Sequence, residues 1–428
     1  MEQSLQLQTR IDQAKESPLF YKVFALVGAG MMLDAADVYM ASAINSTMIS
    51  AKFATLTQGS FFLSAGFLGL FIGSLVAAFL GDFYGRRRAY QLNLLLFGVF
   101  TLLGSLAPNI YILIGLRLVA AIGLGAEAVT GYAVINEFAP VKSRGKWSGA
   151  MAVIANLGAP VGLLLSTFLI APFGWRAMFI TIGIFAILLW IARRHFPESP
   201  RWLITQGRTA EAATIIHQLE RNGSYESSST TDNVASSQIS KTRGLFVGIV
   251  AVSAALVCQY TFTSWAPTLL VRQGINIVHS IGFSALMMVG APCGALLGGL
   301  LVDRIGRKWT ITPSFLLVAI LGLFYAHQST ASGTVITGFL LTMMMYVLIA
   351  SILSVYVSEL FETSFRFRGV GYANAVGKLL STLTPYLVAL ILITFNPSFI
   401  FYIIAAVAVF AALVVGLFGP ETKQRVIH

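Results

Sequence analysis

Charge is scarce in this sequence. Only 11% of residues are charged, while 57% are hydrophobic and the mean hydropathy is +0.80. An ordinary soluble protein carries about 25% charged residues. A soluble domain of 428 residues has no use for so much apolar surface. The composition therefore excludes a soluble enzyme and points to a chain that crosses a membrane many times. Cysteine is also rare. Cys258 and Cys293 both lie in apolar runs, which excludes a disulfide framework and a cysteine metal cluster. Neither G-x-S-x-G nor H-E-x-x-H occurs, and the five histidines are scattered, so an intramembrane enzyme is not expected. The N-terminal MEQSLQLQTRIDQAKESPLF has no signal-peptide apolar core, and the first span is expected to serve as its own insertion signal.

What the sequence does hold is apolar runs. A spanning helix needs about 20 mostly apolar residues. Twelve candidates follow, at about 22–44, 58–80, 89–107, 110–137, 147–171, 176–194, 244–268, 281–302, 309–327, 334–357, 369–394 and 398–418. They are numbered spans 1 to 12. Basic residues are distributed unevenly between the two faces. Twenty-three of 28 fall in the tails and the loops on the N-terminal side, and three (Lys52, Arg176, Arg272) on the other. Arg117 and Lys378 lie inside spans. The positive-inside rule then puts both termini in the cytoplasm, and topology accounts for the net charge of +11 without nucleic acid. Between spans 6 and 7 lies a polar stretch, 203–243. Its serine-rich part cannot pack by itself. The preceding TQGRTAEAATIIHQLE reads as an amphipathic helix along the membrane face. The expected organisation is an N-terminal six-helix half (1–202), a cytoplasmic linker (203–243) and a C-terminal six-helix half (244–428).

One charged turn occurs twice. GDFYGRRR at 81–88 follows span 2, and VDRIGRK at 302–308 follows span 8; Asp82 and Asp303 are 221 residues apart. Two copies at equivalent places imply a duplicated half. At these residues the chain resembles the major facilitator superfamily. PESPRWL at 197–203, GPETK at 419–423 and ELFETSFRFRG at 359–369 resemble its sugar-porter branch and relatives. The resemblance spans essentially the whole chain. It implies an all-α membrane fold of twelve helices in two pseudo-repeat halves. It also implies a cytoplasmic gate in which the charges of each turn pair with acids and helix ends of the other half. That gate would use Asp82, Arg86, Arg144, Glu198, Arg201, Asp303, Arg307, Glu359 and Arg366. The alternative is that these charges only set topology, which holds less well for the acids because acids contribute little to orientation.

Five ionisable residues lie at membrane depth, where each is a functional candidate. Asp34 and Asp37 share a face of span 1 in MMLDAADVYM, Arg117 and Glu127 lie in span 4, and Lys378 lies in span 11. At about 1.5 Å per residue, Asp37 and Arg117 sit at similar depth, roughly 10 Å below the outer surface. Asp34, Glu127 and Lys378 fall nearer the midplane. A proton switch is expected, with Asp37 or Asp34 pairing with Arg117 when ionised, or Glu127 carrying the proton; a static ion pair is the alternative. Lys378 is expected to meet an anionic substrate, or else to pair with Glu127 or Asp34. Gln259, Tyr260, Trp265, Tyr346 and Asn156 complete the expected substrate site. No cofactor is expected beyond the proton gradient. The expected partners are a small-molecule substrate, protons and the bilayer, with the chain acting as a monomer.

The stretch VCQYTFTSWAPTLL lacks the glycine, asparagine and paired tyrosines of hexose porters, and span 10 lacks their Gly-Pro-Trp. DAAD resembles a variant of the D-G-x-D pattern of aromatic-acid and nicotinate-type symporters. The leading expectation is a proton-coupled importer of a small organic acid. Uptake of a sugar or polyol is the alternative. Efflux is a third reading, with NLGAPVGLL at 156–164 as a fragment of an antiporter motif. A non-transporting sensor on the same scaffold is a fourth.

Overall fold

A computed structural model describes residues 6–7, 10–11, 16–139, 143–220, 240–361 and 363–422; the side chains of 78–82, 144, 363–364 and 366–367 lie outside that description. No strand occurs among the described residues. Spans 1 to 6 are Pro18–Ser50, Leu56–Tyr84, Arg86–Gly104, Ile110–Phe138, Arg144–Phe173 and Arg176–Ala192. Two short linker helices follow, Pro200–Thr205 and Thr209–Glu220. Span 7 is Lys241–Thr263 continued by Ala266–Arg272, and span 8 is Ile277–Met288 continued by Gly290–Ile305. Spans 9 to 12 are Arg307–Ala326, Ala331–Glu359 with a π-helical turn at Ile352–Tyr356, Thr363–Thr394 and Phe399–Phe418. Eleven are long and apolar enough to cross a membrane by composition alone. Span 3 is the exception, because Arg86, Arg87, Arg88, Gln91 and Asn93 crowd its first two turns. The breaks in spans 7 and 8 fall just before Pro267 and Pro292, whose rings exclude the preceding helical hydrogen bonds.

The packing repeats. Span 2 lies on span 4, span 1 on span 5, and span 3 on spans 4 and 6; correspondingly, span 8 lies on span 10, span 7 on span 11, and span 9 on spans 10 and 12. Across the halves, span 2 meets span 11 and span 5 meets span 8. Small residues allow the close approaches. A Cβ at Gly158 or Gly162 would collide with the span 1 backbone at Met32 or Ala36, so these two glycines set the approach of span 5 to span 1.

The two faces are built differently. On the face away from the termini, spans 2, 4, 8 and 10 start with their own side-chain caps: Thr55, Asn109, Asn276 and Thr330 each accept a backbone N–H. On the terminal face, spans 3 and 9 start at glycines with positive φ, Gly85 (+87°) and Gly306 (+113°). Their caps come from distant glutamates. Glu198 accepts the Arg87 N–H at 3.1 Å. Glu421 accepts Arg307 and Lys308 N–H at 2.9 and 3.1 Å. PES at 197–199 and PET at 420–422 thus perform one task in the two halves.

Thr209–Glu220 is amphipathic as expected, but its apolar stripe is covered by protein. Ala212 and Ile216 pack with Leu203, Ile204, Leu7 and Ile11, and Leu219 packs with Phe20 and Phe196. Arg10 binds Glu220 through two hydrogen bonds, at 2.8 and 2.5 Å.

Candidate functional site

Span 1 carries Asp34, Asp37 and Tyr39, all buried. Asp37 is fully buried and forms an ion pair with Arg117 of span 4. Gly66 of span 2 leaves room for the guanidinium, which lies 5.8 Å from the Phe62 ring centre. Of the two acids considered for Arg117, the structure selects Asp37. Asp34 is buried and neither of its carboxylate oxygens has a hydrogen-bond partner.

Glu127 does not meet Lys378. It is bound by Arg193, whose Nη1 donates to Oε1 at 2.7 Å, with both side chains fully buried. Arg193 Nη2 also donates to the Leu26 carbonyl at 2.7 Å, and the guanidinium lies 4.1 Å from the Tyr90 ring centre. Gly30 makes the space, since a Cβ there would overlap Arg193 and Glu127. Sequence reasoning counted Arg193 among the loop charges. One signal could have found it. Span 6 has 17 residues, about 26 Å at the helical rise, and so ends short of a core about 30 Å thick. A buried Glu127 also required a cation.

A second polar group bridges the halves. Gln259 Nε2 of span 7 donates to the hydroxyls of Tyr39 (2.8 Å) and Tyr346 (3.0 Å), and these two hydroxyls touch each other. Tyr39 was missed because one tyrosine in a membrane helix is usually packing. Tyr260 packs on Phe67 of span 2, with ring centres 4.4 Å apart. Phe61 and Tyr386 stack between spans 2 and 11. Trp265 is wholly buried at the break in span 7, with no partner for Nε1, so it supports the helix break rather than lining an open surface. Asn156 is half-buried.

The Lys378 ammonium has no hydrogen bond or ion pair among the described residues, and the residue is half-buried. The two acids proposed as its partners are accounted for otherwise: Glu127 is held by Arg193, and Asp34 accepts no hydrogen bond. Gly377, beside Lys378, lies against Val252 and Leu256 of span 7, two turns and one turn from Gln259. A pocket of about 400 Å³ lies elsewhere, between spans 5 and 8. Its lining is mainly apolar, from Pro160, Val161, Leu164, Phe283 and Leu286, with Thr167 and His279 the polar side chains.

The sugar (and other) transporter family model matches residues 19–428. The chain belongs to that family. It is a major facilitator transporter of small molecules and an integral inner-membrane protein, not an enzyme. The inner membrane metabolite transport protein YdjE of Escherichia coli is 32% identical over 442 residues, covering 99% of this chain and 98% of YdjE. The niacin transporter NiaP of Acinetobacter baylyi is 28% identical, covering 99% of each chain. The 4-hydroxybenzoate transporter PcaK of the same organism is 26% identical, covering 86% and 82%. In fold, the chain matches the xylose transporter XylE of E. coli in a partially occluded inward-open conformation. The TM-score is 0.74 at 18% identity, covering 96% of this chain and 100% of XylE.

Several of the expected gate charges have partners among the described residues. The pairs described run inside each half rather than across. Arg86 Nε donates to Glu137 at 3.2 Å, and Arg201 donates to the Glu137 carbonyl at 3.3 Å. Arg307 donates twice to Glu359, both at 2.9 Å, and lies 3.4 Å from an exposed Asp303. Glu198 caps span 3. The side chains of Asp82, Arg144 and Arg366 lie outside the described residues. Among the described residues, hydrogen bonds and ring contacts cross the halves at the centre and on the face away from the termini.

Proposed function

We propose that this transporter imports a small organic anion, an aromatic carboxylate by class, with protons, by alternating access. Both termini face the cytoplasm, the proton gradient supplies the energy without a cofactor, and the monomer is the working unit. The observation that carries the reading is Lys378: a cation at membrane depth with no partner among the described residues. Unpaired charge there is costly and marks a site completed by a ligand of opposite sign. Niacin and 4-hydroxybenzoate, named for two relatives, are both aromatic carboxylic acids. Tyr260, Gln259 and the two hydroxyls beside it supply an aromatic face and neutral hydrogen bonds for the remainder of such a ligand. Asp37 and Arg117 form the buried pair a proton can open.

The Gln259–Tyr39–Tyr346 group also suits a sugar or polyol, which needs several neutral partners around a ring. A ligand panel separates the two readings. Purified protein is heated with aromatic acids, aliphatic acids, hexoses, polyols and organic cations. A ligand at 100 times its dissociation constant stabilises the folded state by about 2.7 kcal/mol. The expected outcome is a shift with aromatic acids that Lys378→Ala removes. A shift with a hexose that survives Lys378→Ala assigns the site to sugars.

A further inference from the structure

We infer that Asp34 is a second proton-binding carboxyl of this protein. It forms a site with Glu127 that Arg193 positions, separate from the Asp37–Arg117 pair. The inference deepens the proton-coupled reading above and rests on it.

Span 1 presents Asp34, span 4 presents Glu127, and the turn after span 6 presents Arg193; Tyr90 of span 3 lies against the guanidinium. Glu127, Arg193 and Asp37 are the charged groups within electrostatic reach of Asp34. Two carboxyls therefore share one cation, since Arg117 is committed to Asp37. Arg193 has already chosen: its two terminal nitrogens are used by Glu127 and the Leu26 carbonyl. Gly30 lies against this pair, and Asp34 follows Gly30 by one helical turn on the same side of span 1. Asp34 is only 7% exposed, and no donor reaches either oxygen.

An ionised carboxylate buried with no donor, beside a cation already committed to another carboxylate, is strongly disfavoured. A proton on Asp34 removes that cost and leaves the cluster neutral: one guanidinium, one carboxylate, one carboxylic acid. Loss of the proton puts two anions beside one cation, and Arg193 is then drawn between them. Arg193 is five residues from Glu198, which caps span 3 at the repeated turn. A displaced guanidinium thus pulls on the segment that holds that turn.

The test needs no substrate, so failure of the organic-anion reading leaves it intact. Infrared difference spectra of the full-length protein in lipid nanodiscs are recorded from mildly acidic to alkaline buffer. Wild type should show the carbonyl stretch of a buried protonated acid, disappearing as the buffer becomes alkaline. Carbon-13 labelling of aspartate should shift that band, and labelling of glutamate should not. Asp34→Asn should abolish it, and Asp37→Asn should keep it. Arg193→Gln should add a second band sensitive to glutamate labelling, because Glu127 loses its cation and takes up a proton. A merely structural Arg193 would lower thermal stability without a new band. The inference is overturned if the wild-type band belongs to glutamate, or if Asp37→Asn removes it. Should Asp34→Asn fail to fold, the labelled wild type and Asp37→Asn together still decide.

Discussion

Arg117 and Asp37 are ion-pair partners deep in the bundle, and neither is compensated if the other is removed. Breaking a buried pair from one side costs about 3–5 kcal/mol. Arg117→Met should therefore lower stability by that order, and adding Asp37→Asn should restore part of it; thermal unfolding of the two variants in detergent measures both. Glu16 behaves differently, because it lies before span 1 and is more accessible. It accepts hydrogen bonds from the Ser143 hydroxyl (2.7 Å) and the Trp147 indole (3.0 Å), which hold its carboxyl below its ordinary value. A depressed acid stabilises above its unfolded value and loses that contribution as the pH falls through the folded one. Glu16→Gln should thus melt below wild type at neutral pH, and the gap should close under acid conditions below the ordinary glutamate range of about 4.3; melting curves across pH check this. The Asp37–Arg117 pair was legible in the sequence because counting helical rise placed both side chains at one depth. Arg193 was not, because it stands beside Arg194 and His195 and looks like one more loop charge.

The helices themselves were the most legible elements, since hydropathy alone fixes a spanning segment to within a few residues. The charged turns were legible as a repeat. What joins them was not: Glu198 and Glu421 sit 111 and 114 residues from the amides they cap, a distance over which no local pattern speaks. Gly85 and Gly306 show how tight these junctions are. Both have positive φ, and an added Cβ at either would run into the capping glutamate. Gly85→Ala and Gly306→Ala should each destabilise by about 1–3 kcal/mol, measurable as a lowered unfolding temperature. Near-equal losses would confirm that the two halves use the same joint.

At the scale of the whole molecule, the contacts that cross between the halves set which face is open. Tyr39, Tyr346 and Gln259 form the polar part of that contact, and the Phe61–Tyr386 and Phe67–Tyr260 rings the apolar part. Tyr39→Phe removes a hydroxyl worth about 0.5–1.5 kcal/mol. The population open on the face away from the termini should rise roughly two- to tenfold. Spin-label distances between the ends of spans 2 and 11 on that face report the shift; an unchanged distribution would show that the ring contacts alone hold the closure.

The duplicated clamps at the two turns have a further consequence. A contact confined to one half travels with that half, so it contributes equally to both orientations and cancels from their difference. Glu198 with Arg87, and Glu421 with Arg307, are such contacts. These two caps thus contribute rigidity and leave the bias of the cycle to contacts that cross between the halves, such as Tyr39 with Gln259 and Tyr346.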